Sequence, residues 1–160
     1  MHKLIIYTDG GSRGNPGPSA IGVVFVDGNP RTQRAEQSSY DGATGETLKT
    51  YGERVEDGTN NEAEYKAIIF ALKKAKALYG KDNAKKMEVE MRMDSELACK
   101  QLSGEYKLST PHIQQLFIEV WNLKTDFGKV SFVHIPREQN ALADAALNRA
   151  LDSSLPQFNY

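Results

Sequence analysis

The sequence holds one cysteine, Cys99, and only three histidines. A disulfide within the chain is therefore impossible, and no Cys/His set offers the spacing of a zinc site. Both facts suit a reducing compartment, read here as the cytoplasm. Long apolar runs are missing as well. The first, Leu4 to Tyr7, is broken at once by Thr8-Asp9, too short for a signal sequence, and nothing approaches the ~20 apolar residues of a membrane span. An excess of one charge is also absent: 20 Lys plus Arg stand against 21 Asp plus Glu, a net charge of −1. Strong basicity would point directly to nucleic acid. Near-neutrality excludes only a uniformly basic surface, because a local patch or bound cations can offset carboxylates. No repeat, low-complexity tract or linker interrupts the 160 residues. That length suits one domain with its own core, expected over 1–152, followed by an unpatterned tail at 153–160. The expected state is a monomer with no membrane partner.

What is present reads as an α/β alternation. Leu4–Thr8 and Ala20–Val26 are apolar and β-branched, two buried strands around a turn at Gly10–Pro18. Residues 29–58 are polar and weakly patterned, with one strand expected at Leu48–Val55. Apolar residues at helical spacing (Tyr65, Ile68, Ile69, Leu72, Ala75) predict a helix over Asn61–Tyr79, ended by Gly80. Met87, Val89, Met91 and Met93 alternate with charged residues as in a half-buried strand. Helices are expected at Ser95–Leu102, from Thr110-Pro111 to Lys124, and at Asn140–Leu151, with a strand at Val130–Ile135. Trp121 lies among Phe117, Ile118 and Val120 and reads as core. The order β-β-β-α-β-α-α-β-α implies an α/β class with a mixed sheet.

Four acids fall at element ends: Asp9, Glu64, Asp94 and Asp144. Glu64 shares a helical stripe with Ile68, Ala71 and Leu72, and Asp144 shares one with Ala141, Leu147 and Leu151. A carboxylate facing a core is costly unless it is paired or metal-bound. Converging carboxylates repel, and divalent cations relieve that repulsion; an oxygen-only set favours Mg²⁺ or Mn²⁺. Each acid also has a plain structural reading. Asp9 can open an Asp-Gly turn, Glu64 can close a capping box with Asn61, Asp94 can cap a helix, and Asp144 can complement a helix dipole. Taken singly, those readings are at least as good.

The residues around these acids resemble the type 1 ribonucleases H. Tyr-Thr-Asp9-Gly-Gly-Ser-Arg-Gly-Asn-Pro-Gly-Pro18 resembles that family's first strand and turn, and Thr59-Asn-Asn-Glu-Ala-Glu64 the opening of its central helix. Met93-Asp94-Ser95 and Pro136-Arg-Glu-Gln-Asn140-Ala-Leu-Ala-Asp144 resemble its third and fourth acidic positions. The order is right across nearly the whole chain. The resemblance implies a ribonuclease H-like fold, a five-stranded mixed sheet flanked by helices on both faces. It implies cleavage of the RNA strand of an RNA–DNA hybrid with two Mg²⁺ ions, Mn²⁺ substituting, leaving 5′-phosphate and 3′-hydroxyl ends. Asp9 and Asp94 would contact or bridge both ions, Glu64 would hold the one on the leaving-group side, and Asp144 the one that activates water. By the same resemblance Gly10, Gly11, Ser12, Arg13, Asn15, Thr59, Asn60, Asn61 and Asn140 would contact substrate, with Thr59 on a DNA-strand phosphate. Duplex RNA stays open as a second substrate.

The sequence departs from many members in two places. No histidine-bearing loop precedes the last helix; Arg137 stands beyond the strand end, where it could stabilise phosphate charge, while His134 lies within the strand. Arg137 is favoured as the assisting residue, and His2 and His112 read as bystanders. Gly104–Ser109 passes straight into Thr110-Pro111, so the basic protrusion of other members is missing. Lys73, Lys74, Lys76, Lys81, Lys85 and Lys86 form a basic patch whose default reading is a solvated face.

Overall fold

The structure is a computed structural model that describes residues 2–29 and 45–153. Five strands form one sheet: β1 (His2–Ser12), β2 (Gly17–Asp27), β3 (Thr47–Gly58), β4 (Met87–Met93) and β5 (Lys129–His134), in the spatial order β3-β2-β1-β4-β5. The β1–β2 and β2–β3 pairs are antiparallel, and β1–β4 and β4–β5 are parallel. The helices are α1 (Asn60–Tyr79), α2 (Lys81–Ala84), α3 (Glu96–Leu102), α4 (Pro111–Lys124) and α5 (Ala141–Ser153), with a 3₁₀ turn at Arg137–Gln139. The expected five-stranded mixed sheet, covered by helices on both faces, is present.

Strand alternation divides the core in two. Leu4, Ile6, Ile21, Val23 and Phe25 point to one face and pack against Tyr65, Ile68 and Leu72 of α1, together with residues of α3 and α4. Ile5, Tyr7, Val24 and Val26 point to the other and meet Ile135 and Ala143, while Ala20 packs under Leu147 and Leu151 of α5. Burial on both faces is why β1 and β2 read as unbroken apolar runs. On β4 the Met side is buried, and the opposite side carries Arg92, whose guanidinium donates to Glu90 at 2.6 Å and to the Tyr7 hydroxyl at 2.7 Å.

Several expectations need correction. The turn is shorter than Gly10–Pro18, because Gly10, Gly11 and Ser12 continue β1 and pair with Ile21, Ala20 and Ser19. A single turn of helix, α2, follows Gly80 where none was expected. Trp121 is 54% exposed rather than core: the inward stripe of α4 is Ile113, Leu116 and Val120, and Trp121 lies one step round from it, stacked on Phe117. The lysine patch needs no correction and lies at the surface, where Lys73 meets Glu119 at 3.1 Å and Lys76 meets Asp126 at 3.0 Å, tying α1 to α4 and the turn beyond it. α5 runs to Ser153, so the rest of the expected tail lies outside the described residues from 154 on, as do residues 30–44 of the polar segment read at 29–58.

One contact fixes α5. A Cβ built on Gly22 of β2 would coincide with the backbone carbonyl of Ala143, so the helix lies directly on the strand. Gly22→Ala must push α5 away and is expected to lower stability by about 1–3 kcal/mol. Urea unfolding checks this, and an unchanged midpoint would refute the packing argument.

Candidate active site

Thr8 of β1 lies opposite Met93 of β4 in the parallel register, so Asp9, still within β1, and Asp94, just past the end of β4, stand side by side at the carboxyl end of β4. That end is where open α/β sheets place their sites. Glu64 reaches the same point from α1, and one carboxylate oxygen each from Asp9, Glu64 and Asp94 lie within 4.8 Å of one another. Asp144 enters from the opposite face on α5 and comes within hydrogen-bonding reach of the Asp9 carboxyl. All four line one cleft of about 460 Å³, together with Gly10, Gly11, Ser12, Arg13, Asn60 and Arg137.

Neighbouring residues perform the structural tasks that two of these acids could have had, and the task imagined for a third does not arise. The capping box at α1 is made by Thr59 and Glu62, not by Asn61 and Glu64: Thr59 N–H donates to Glu62 Oε1 at 3.2 Å and Glu62 N–H to Thr59 Oγ1 at 3.1 Å. The cap of α3 is Ser95, whose Oγ accepts from Ala98 N–H at 3.2 Å, so Asp94 is not needed there. Asp9 opens no turn; it sits within β1 opposite Gly22.

The cost of this convergence shows in the titration of the group. Burial, then the charges of Asp94 and Asp144, push the Asp9 carboxyl up to about 8, and the Gly10 N–H offsets only part of this. Burial also holds Glu64 well above the ordinary carboxyl range, reinforced by Asp9 and Asp94 and opposed by Gly10 and Arg137. A tight set of oxygen donors that resists ionisation on its own fits a hard divalent cation.

The residues expected to touch substrate divide into three groups. Gly10, Gly11, Ser12 and Arg13 border the acids, and Asn60 joins this cleft to an adjoining groove of about 430 Å³ lined by Asn15, Thr59, Asn60 and Asn61. The strand end and the helix start interlock, since Ser12 N–H donates to Asn60 Oδ1 at 2.8 Å and Asn60 N–H to Asn15 Oδ1 at 2.9 Å. Asn140 is the exception. It is 1% exposed and cannot meet substrate; its Nδ2 donates to the Thr8 carbonyl at 2.9 Å and to Asp94 Oδ2 at 3.2 Å, aligning both strands that carry the acids. Arg137 faces the cleft, whereas His134 is exposed and lies 3.3 Å from the Asp94 backbone carbonyl.

His112 is a residue that sequence reasoning set aside. It lines the adjoining groove, and its Nδ1 lies 2.7 Å from Glu62 Oε2, so the start of α4 is tied to the α1 cap. The only sequence signal was its place beside Thr110-Pro111, which marks a helix start and not a neighbour of residue 62.

A family model described as reverse transcriptase-like matches residues 7–150. Ribonuclease HI of Halobacterium salinarum is 38% identical over 152 residues, which cover 95% of this chain and 66% of that protein. A bifunctional protein of Mycobacterium tuberculosis is 32% identical over 155 residues, covering 95% of this chain and 36% of its own length. This chain therefore spans at most about two thirds of those relatives. The crystal structure of LC11-RNase H1, a protein isolated from compost, in complex with an RNA/DNA hybrid superposes with a TM-score of 0.79 at 41% identity, covering 96% of this chain and 99% of that one.

The raised carboxyls set how stability depends on pH. An acid whose folded pKa lies above its unfolded value of about 4 favours folding fully below that value, and the benefit is lost as pH rises through the folded pKa. For Asp9 that window runs from about 4 up to about 8. Without divalent metal, the melting temperature is expected to fall across this window. Asp9→Asn should be more stable than wild type at pH 8 by roughly 1–3 kcal/mol, several degrees in Tm. Thermal melts in EDTA measure this; a wild type as stable at pH 8 as at pH 5 would contradict it.

Proposed function

Since this chain belongs to the type 1 ribonuclease H family, we propose that it is an endoribonuclease that hydrolyses the RNA strand of RNA–DNA hybrids with two Mg²⁺ ions, leaving 5′-phosphate and 3′-hydroxyl ends. The observation that carries this reading is the convergence of Asp9, Glu64 and Asp94 at one point, with Asp144 beside Asp9. When bound there, divalent cations supply Lewis-acid chemistry, activating a water and stabilising the departing oxygen. Asp9, Glu64, Asp94 and Asp144 would hold them, and Mn²⁺ satisfies the same oxygen set.

The chain's own residues do the rest. Asn140 holds Asp94 through a hydrogen bond to its carboxylate, so the acids meet the phosphate in a fixed geometry. Arg137 contributes positive charge to the cleft; a guanidinium does not release its proton near neutral pH, so its role is electrostatic. Gly10, Gly11 and Ser12 present strand backbone at the cleft, where it can approach a minor groove. Asn60 and Asn61 offer amides able to pair with a 2′-hydroxyl, the group that distinguishes RNA from DNA. Asn15, Thr59 and His112 line the adjoining groove and position the DNA strand. Duplex RNA shares the 2′-hydroxyls and is a secondary substrate. The protein works as a cytoplasmic monomer. Cys99 is buried and free, and no helix among the described residues is long and apolar enough to cross a membrane.

End-labelled RNA–DNA hybrid incubated with Mg²⁺, Mn²⁺ or EDTA tests this. Wild type should cut the RNA strand only with metal, and Asp9→Asn should lower the rate by at least about 100-fold while remaining folded. Equal cutting by the variant would remove Asp9 from the site. Binding without cutting, under any metal, would make the chain a binding module.

A further inference from the structure

Arg13 borders the cleft but does not point freely into it. Its backbone is anchored by an N–H···O bond to the Pro18 carbonyl at 2.8 Å, and its Nη2 lies 2.6 Å from Asp152 Oδ1 in the last turn of α5. The pair joins positions 139 residues apart and stands beside Leu151, which lines the cleft with Arg13, Asn148 and Asp144. The helix does not explain this acid. A carboxylate in a C-terminal turn opposes the helix dipole, and the last turn of α5 carries no basic residue to compensate it. What compensates Asp152 is Arg13.

Both partners are open to solvent, with side chains 42% and 67% exposed. An exposed pair of this kind is held weakly and exchanges partners readily. A guanidinium fork accepts a carboxylate or a phosphate in the same geometry. The Nη2 that Asp152 occupies is thus a donor at the cleft's border that a polyanionic substrate would use.

We propose that Asp152 competes with substrate for Arg13: it occupies the Arg13 guanidinium at the border of the cleft and is displaced by a backbone phosphate of the hybrid. This rests on the ribonuclease reading above and adds a residue to it. The pair sets the affinity of the resting enzyme below what Arg13 alone would give. It leaves the chemical step untouched, because Asp152 stands outside the cluster of acids.

Steady-state cleavage of the hybrid by wild type, Asp152→Asn, Asp152→Glu, Arg13→Ala and the Arg13→Ala/Asp152→Asn double variant tests this. Asp152→Asn is expected to lower KM about two- to fivefold, the range of an exposed ion pair, with kcat within twofold. Asp152→Glu should stay near wild type. Raising salt should shrink the difference, because the pair is screened. In the Arg13→Ala background, Asp152→Asn should change nothing. A KM shift that persists without Arg13 would mean simple repulsion of a polyanion and overturn the proposal, as would an unchanged or raised KM in Asp152→Asn. A wild type that neither binds nor cuts the hybrid would overturn the ribonuclease reading and this inference with it. A wild type that cuts, with Asp152→Asn indistinguishable from it, would overturn the inference alone.

Discussion

The site depends on a contact between two backbones. A Cβ on Gly10 would fall on the carbonyl group of Ala63, so β1 and the first turns of α1 touch with no side chain between them. This close approach brings Glu64, the residue after Ala63, against Asp9, the residue before Gly10. Any larger residue at position 10 would part the strand from the helix and separate the two carboxylates. The missing side chain thus matters through what it lets come together. The same glycine's N–H eases the charge of both acids.

Around that contact the protein accepts an arrangement that opposes folding when no cation is present. Three acids are forced within 4.8 Å, two of them buried, and a fourth lies next to Asp9. The rest of the molecule holds them there. Asn140 bridges β1 to Asp94, Thr59 and Glu62 cap α1, and α5 is seated on Gly22. Strain of this kind is carried where binding happens, and the ordinary apolar core beneath it supplies the stability to carry it.

Much of this was legible in the sequence. Apolar patterning located most of the principal elements, because a buried face imposes its repeat on the residues that form it; β3, largely exposed, was placed in a segment with little pattern. The four acids stood out because Glu64 and Asp144 broke apolar helical stripes. What remained hidden depended on spatial neighbours. Asn140 was expected to contact substrate, and nothing local says that the Thr8 carbonyl and Asp94 take its amide instead. His112 reads as a helix-start residue until α4 is laid against α1. Trp121 misled because an apolar neighbourhood in sequence is not a helical phase: Val120 faces inward and its successor does not. The capping box was misplaced by two residues because Thr59-x-x-Glu62 and Asn61-x-x-Glu64 both have the spacing, and only the fold shows which pair lies at the helix end.

The acids are supplied in chain order by β1, α1, the end of β4 and α5. The last of these arrives when residue 144 is placed, and α5 finds its seat only after the β1–β2 hairpin beneath it exists. A fragment cut before α5 would keep all five strands and three acids but lack the fourth, so the cluster is complete only when the two faces of the sheet are both covered.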